Sequence, residues 1–207
     1  MDRKQAEILE PADMPEIVDV LTDAFAGYPV MSYVLGPDGD SVERLSTLIG
    51  FFVFRRAQLG GPMFGVRDER GRLVGAAVMT LPKEPEPTNE LLERRDRVFA
   101  VLGEDCRKRH EAYAAVAKTV LITEPHHHLN MIGVRRGHHG RGFARPLLEA
   151  ACDLAESDST SAGLTLTTET PANVRLYQNF GFGVVRSARV EDVFETWGLF
   201  RGRLNTA

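Results

Sequence analysis

The stretch Leu129-Asn-Met-Ile-Gly-Val-Arg-Arg-Gly-His-His-Gly-Arg-Gly-Phe-Ala-Arg-Pro-Leu-Leu148 decides the fold. Leu129 to Val134 is an apolar run of strand length. After Gly142 the apolar residues fall into two adjacent helical stripes, Phe143, Leu147 and Ala151 beside Ala144, Leu148, Cys152 and Ala155. Between strand and helix lies a turn with Gly137, Gly140 and Gly142, set among Arg135, Arg136, Arg141 and Arg145. Such a turn leaves backbone N–H groups unpaired at the positive end of a helix dipole. Its glycines let a ligand approach the main chain, so an anion of phosphate type is the natural ligand. Pro146 disfavours helical geometry at Arg145, which predicts a helix that starts late or is distorted in its first turn.

Spacing narrows the phosphate. A P-loop needs G-x-x-x-x-G-K followed by Ser or Thr, and no such pair follows Gly142; Lys118-Thr119 has no glycine frame. A dinucleotide fingerprint needs a third small residue where Gly140-Arg-Gly142-Phe-Ala-Arg145 has arginine.

Downstream, Leu164 to Thr168 alternates leucine with β-branched threonine as a strand. Pro171 to Phe180 reads as a short helix, and Phe182–Val190 and Val193–Phe200 read as two closing strands. Upstream, Met14 to Phe25 has helical periodicity, with Asp13 and Glu16 in capping-box spacing. A turn, GPDGD at 36–40, precedes a second helix from Ser41 that carries Val42, Leu45, Leu48, Ile49 and Phe52 and ends at Gly60-Gly61-Pro62. Met63–Val66 and Leu73–Leu81, around Asp68-Glu69-Arg70-Gly71, predict a β-hairpin. PKEPEPTN at 82–89 predicts a loop, because Pro82, Pro85 and Pro87 forbid regular structure. Residues 89–119 are polar with scattered apolar positions such as Leu91, Phe99 and Tyr113, and predict one or two surface helices. One hairpin early and another late, with helices between, indicate a mixed α/β or α+β sheet.

The chain has 207 residues, 43% of them hydrophobic and 26% charged, which predicts one folded domain over 1–207. Lys plus Arg total 25 against 29 for Asp plus Glu, a net charge of −4 without the basic excess that nucleic-acid binding needs. Cys106 and Cys152 are too few for a disulfide scaffold or a four-thiolate metal site. His126, His127 and His128, successive on a strand, point to opposite faces and do not converge on an ion, so no metal is predicted. The opening MDRKQAEILEPADM lacks an apolar leader, and no stretch approaches the ~20 apolar residues of a membrane span. These features predict a cytoplasmic protein with no membrane partner.

His139-Gly-Arg-Gly-Phe-Ala144, after Met131-Ile-Gly-Val134, resembles the acyl-CoA signature Gln/Arg-x-x-Gly-x-Gly/Ala of the GNAT superfamily of N-acetyltransferases, with His139 at the Gln/Arg position. Leu164-Thr-Leu-Thr-Thr168 and Asn173-Val-Arg-Leu-Tyr177-Gln-Asn-Phe-Gly-Phe182 are similar to that family's N-x-x-L/F-Y-x-x-x-G-F segment and the strand before it. Thr196-Trp-Gly-Leu-Phe-Arg201 resembles the final strand of many members, puromycin-type acetyltransferases among them, and a short strand at Glu7–Leu9 before the first helix fits their start.

The resemblance implies a mostly antiparallel central sheet flanked by helices, acetyl-CoA as co-substrate, and transfer of an acetyl group to a primary amine of a small molecule; homodimers are common among similar proteins. It implies that backbone groups of Ile132, Gly133 and Val134 pair with the pantetheine arm beside a splayed strand. It also implies that N–H groups of His139, Gly140, Arg141, Gly142, Phe143 and Ala144 cradle the pyrophosphate. Asn173 matches a cofactor-contacting residue, and Tyr177 the general acid beside the CoA sulfur.

For the general base, His128 lies two residues before Asn130 and on the same face under strict alternation. Some similar proteins use histidines on this strand to deprotonate the amine through water, and Glu169 and Glu124 are carboxylate alternatives. Glu84, Glu86, Glu90 and Glu93 would favour a cationic amine. A non-catalytic acyl-CoA sensor or scaffold and a protein or peptide N-acetyltransferase are the competing readings.

Overall fold

The computed structural model describes residues 4–39 and 41–203. The first three residues of the segment read as leaderless, and Asp40 of the expected GPDGD turn, lie outside the described residues. Strands β1 (Glu7–Ile8), β2 (Met63–Arg67), β3 (Leu73–Thr80), β4 (His127–Val134), β5 (Gly163–Thr168), β6 (Gly183–Val190) and β7 (Phe194–Gly202) form one sheet in the order β1-β2-β3-β4-β5-β7-β6. Every neighbouring pair is antiparallel except β4 and β5, which run parallel. The mixed, mostly antiparallel sheet flanked by helices is the expected fold class.

Helices α1 (Met14–Phe25), α2 (Pro29–Leu35), α3 (Val42–Gln58), α4 (Asn89–Leu102) and α5 (Glu104–Thr119) precede β4, and α6 (Ala144–Ser157) and α7 (Pro171–Gln178) follow it. Ser41 and Thr88 cap α3 and α4, each side-chain oxygen accepting a backbone N–H three residues on. The Asp13–Glu16 capping box does not form. Asp13 accepts the N–H of Glu10 at 2.8 Å, in the 3-10 turn that leads into α1, and Glu16 binds Arg67 at 3.1 Å instead. Pro146 does not delay α6. The helix begins at Ala144, so the proline falls in the first turn, where its missing N–H breaks no helical hydrogen bond. α2 is an element that periodicity does not announce: it has seven residues, opens on Pro29 and stops at Gly36 with φ +75°.

Both faces of the sheet are covered at β3, which is why that strand reads as a nearly unbroken apolar run. From Ala76 onward its side chains alternate. Ala76 and Val78 join a core formed with α1, α2 and α3, while Ala77 and Met79 join a second one formed with α6. On β4, a Cβ at Gly133 would lie 2.6 Å from the Ala24 Cβ, so glycine lets α1 lie close against the sheet.

The feature that makes a site is the parting of β4 from β5. Their register holds from His127–Leu164 to Leu129–Leu166 and then stops, although β4 continues to Val134. At the closed end His127 is buried with its Nε2 2.9 Å from Asp158, and its N–H donates to Ser161. At the opening, β4 carries a bulge: Met79 pairs with Leu129 and Val78 with Met131, which leaves Asn130 as the extra residue. The strict alternation expected between His128 and Asn130 is therefore broken at Asn130.

Candidate active site

The parted strands open into a cavity of about 690 Å3, walled by β4, β5, the loop before α6, one face of α7 from Asn173 to Tyr177, and faces of α1, α2, α3 and α5. It brings together His128, Ile132, Gly133, Val134, His139, Gly142, Phe143, Ala144, Asn173 and Tyr177. Gly140 and Arg141 do not line it. α5 is more than the surface helix expected, since His110, Tyr113, Ala114 and Ala117 form a cavity wall.

At one end lies the glycine turn. Gly140 and Gly142 have φ of +71° and +79°, angles that a side chain strains, and Cβ atoms built on them would meet nothing within 4 Å. Among the described residues, the N–H groups of Gly140, Arg141, Gly142, Phe143 and Ala144 donate to no backbone or side-chain acceptor. Open space in front of a row of free N–H groups at a helix N-terminus fits the phosphates of a CoA ester. His139 folds back, its Nε2 2.8 Å from the Val134 carbonyl, so its side chain shapes the loop. The arginines expected to add charge here divide. Arg135 binds Asp19 at 2.6 Å, Arg136 is held by the Ala26 carbonyl, and Arg145 pairs with Glu149 at 3.4 Å. Arg135 and Arg136 thus fasten the loop to α1 and its C-terminal end.

In the middle, Ile132 to Val134 have partners on β3 but none on β5, so one edge of their main chain faces the opening. Tyr177, on α7, is buried, and its hydroxyl has no protein hydrogen-bond partner among the described residues. Burial raises its pKa well above the ordinary phenol value, with Tyr28 and Glu169 adding to the effect.

Beside it sits a polar network that sequence reasoning found only in part. Glu169 is buried and accepts from Tyr113 at 3.0 Å and Thr196 at 2.9 Å, while its own N–H donates to the Tyr28 hydroxyl at 3.1 Å. Burial raises the Glu169 carboxyl above its usual 4.5, against the lowering effect of these donors. Burial and the Glu169 charge push Tyr28 up to about 12. The missed signal is the spacing His110, Tyr113, Ala114, Ala117, an aromatic and small-residue stripe on an otherwise charged helix.

At the far end, His128 is part-buried with Nδ1 2.8 Å from Thr165 Oγ1. That hydroxyl donates to the His127 carbonyl, so His128 Nδ1–H is the donor and Nε2 keeps its lone pair. Desolvation, with His126 and Arg56 adding to it, lowers the His128 pKa to about 3. Arg56, 3% exposed, is held by Thr80 and Glu84, and Thr80 in turn donates to Asn130 at 2.6 Å. Burial lowers the Arg56 pKa to about 10. Glu84 is thus occupied by Arg56 and Arg55, and neither it nor Glu86, Glu90, Glu93 or Glu124 lines the cavity.

Solved structures with the same fold include a Corynebacterium glutamicum protein described as histone acetyltransferase HPA2 and related acetyltransferase (21% identity, TM-score 0.74, 99% of each chain). They include the ribosomal-protein-S18-alanine N-acetyltransferase of Escherichia coli (15%, 0.58, 99% of this chain and 97% of that one). A third is the polyamine N-acetyltransferase of Drosophila melanogaster (16%, 0.58, 96% and 98%). The sequence model of the Acetyltransferase (GNAT) family matches residues 43–182, a span that holds the bulged strand, the glycine turn and Tyr177. With that match over about two thirds of its length, the chain belongs to the GNAT family of acetyltransferases.

Proposed function

We propose that the chain is a single catalytic domain that transfers acetyl from acetyl-CoA to a primary amine of a small molecule by direct attack, in the cytoplasm. The observation that carries this reading is one continuous cavity, running from the free N–H groups of the glycine turn, past the unpaired edge of Ile132–Val134, to Tyr177. Main-chain groups of Gly142 to Ala144 and the strand edge would hold the cofactor, with Asn173 beside them. Acetyl-CoA supplies the activated acetyl thioester.

Tyr177 keeps its proton at neutral pH and has no protein acceptor for it among the described residues, which suits a group that protonates a departing thiolate. Two groups are available for the amine proton. His128 offers a free Nε2, but at about 3 its affinity for a proton is weak. Glu169, raised above 4.5, is the stronger acceptor and lies on the wall with Tyr28 and Tyr113. We assign deprotonation of the amine to Glu169 and solvent ordering to His128.

Calorimetry with acetyl-CoA tests the reading. Saturable binding is expected, and Gly142→Glu should abolish it by filling the space in front of the N–H row. Undiminished affinity in that variant would remove the basis of the proposal. Release of free thiol above hydrolysis across an amine panel separates an enzyme from an acyl-CoA sensor, and peptide acceptors in the same panel test the protein-acetylation alternative.

A further inference from the structure

The ionised side chains on the cavity wall, among the described residues, are Arg55, Arg56, Lys118 and Glu169. In a chain of net charge −4, this wall is cationic. Arg55 and Arg56 lean on one carboxylate, Glu84, at the mouth of the PKEPEP loop, so a positive charge is left over between them. Lys118, exposed at the end of α5, has no ion-pair partner among the described residues. Glu169 is enclosed by two hydroxyl donors and does not compensate either group.

Arg56 is not placed for the cofactor's pyrophosphate. Arg56 is tied to Thr80, whose register partner is His128, six residues before Val134. At about 3.3 Å per residue that is ~20 Å from the glycine turn. The space between is apolar and aromatic, with Phe52 and His110 stacked 5.5 Å apart where α3 meets α5.

Resting on the acetyltransferase reading above, we propose that the acceptor is a primary amine on an apolar or aromatic body that also carries a carboxylate, drawn to the cationic wall to which Arg55 and Lys118 contribute. Arg55 meets Glu84 through one terminal nitrogen at 3.5 Å and has donors left for another carboxylate, and an ammonium at the cavity rim without an ion-pair partner among the described residues gains from an anion without first losing one. The polyamine class that an acidic wall would select is disfavoured by the same charges.

Matched pairs test this: benzylamine against 4-(aminomethyl)benzoate, 2-phenylethylamine against phenylalanine, and hexylamine against 6-aminohexanoate, which vary the distance from amine to carboxylate. In at least one pair the carboxylated member should have a kcat/KM about tenfold or more above its partner. That advantage should shrink to near unity in Arg55→Met/Lys118→Met, while Arg55→Lys keeps part of it. Acetyl-CoA calorimetry on each variant reports that it is folded. The proposal fails if every uncharged partner is used as well or better, if the preference survives the double variant, or if a protein that binds acetyl-CoA consumes neither set. Loss of acetyl-CoA binding by the wild-type protein would instead overturn the acetyltransferase reading beneath it.

Discussion

Tyr177 holds its proton because it is enclosed next to a second phenol and a carboxylate, so ionising it would add negative charge where water cannot screen it. Tyr177→Phe should therefore slow turnover on the order of a hundredfold while leaving acetyl-CoA affinity nearly constant, read by steady-state kinetics beside calorimetry. In the proposed reaction Glu169 has the opposite task, since it must be ionised to accept a proton. The acidic limb of kcat/KM is expected above pH 4.5, the direction in which burial moves this carboxyl, with activity rising as pH rises through it. Glu169→Gln should lower the rate and abolish that limb, whereas an unaltered limb would move the base role to another group. Residue identity made Tyr177 and the glycine turn readable from sequence. The partners of Arg135 and Arg136 were not readable, because Asp19 and Ala26 stand more than a hundred positions away along the chain.

At the scale of elements, legibility followed from local chemistry. Ser41 and Thr88 mark helix starts because their hydroxyls satisfy donors three residues on, a relation contained in the segment itself. The bulge at Asn130 leaves no such trace, since it depends on how β4 pairs with β3 and β5. α2 is too short for a helical period to repeat, and α5 hides its inward stripe among charged neighbours. The approach of α1 to β4 gives a direct test. Gly133→Leu would drive a side chain into Ala24, prying the helix from the strand that forms one lip of the cavity. A loss of about 1–3 kcal/mol in urea unfolding is expected, together with weaker acetyl-CoA binding.

For the whole molecule, the net charge of −4 describes the exterior better than the cavity, whose wall is cationic. His128 links that wall to overall stability. Above about 6.5 the ring is neutral in folded and unfolded chains alike, and its contribution is complete. Between 6.5 and about 3 the unfolded chain takes up a proton that the folded one excludes, so stability falls as the pH falls. The slope from this one ring is at most about 1.4 kcal/mol per pH unit. Thermal unfolding of wild type and His128→Asn between pH 7 and 4 should diverge, the variant losing less per unit; parallel curves would place the acid sensitivity elsewhere.

A loop that meets its ligand through main-chain N–H groups depends on backbone angle more than on side-chain identity, because every residue except proline carries that donor. Drift at Arg141 changes little in such a loop, while a side chain at Gly140 or Gly142 alters both the angle and the space, and loss of the His139 ring removes the bond that folds the loop back onto Val134. The opposite end of the same cavity is built from side chains and has no such tolerance, so in the proposed reaction substitutions there would change which amine is accepted. Under selection for a new substrate, one end of this cavity would stay constant in shape while the other diversifies.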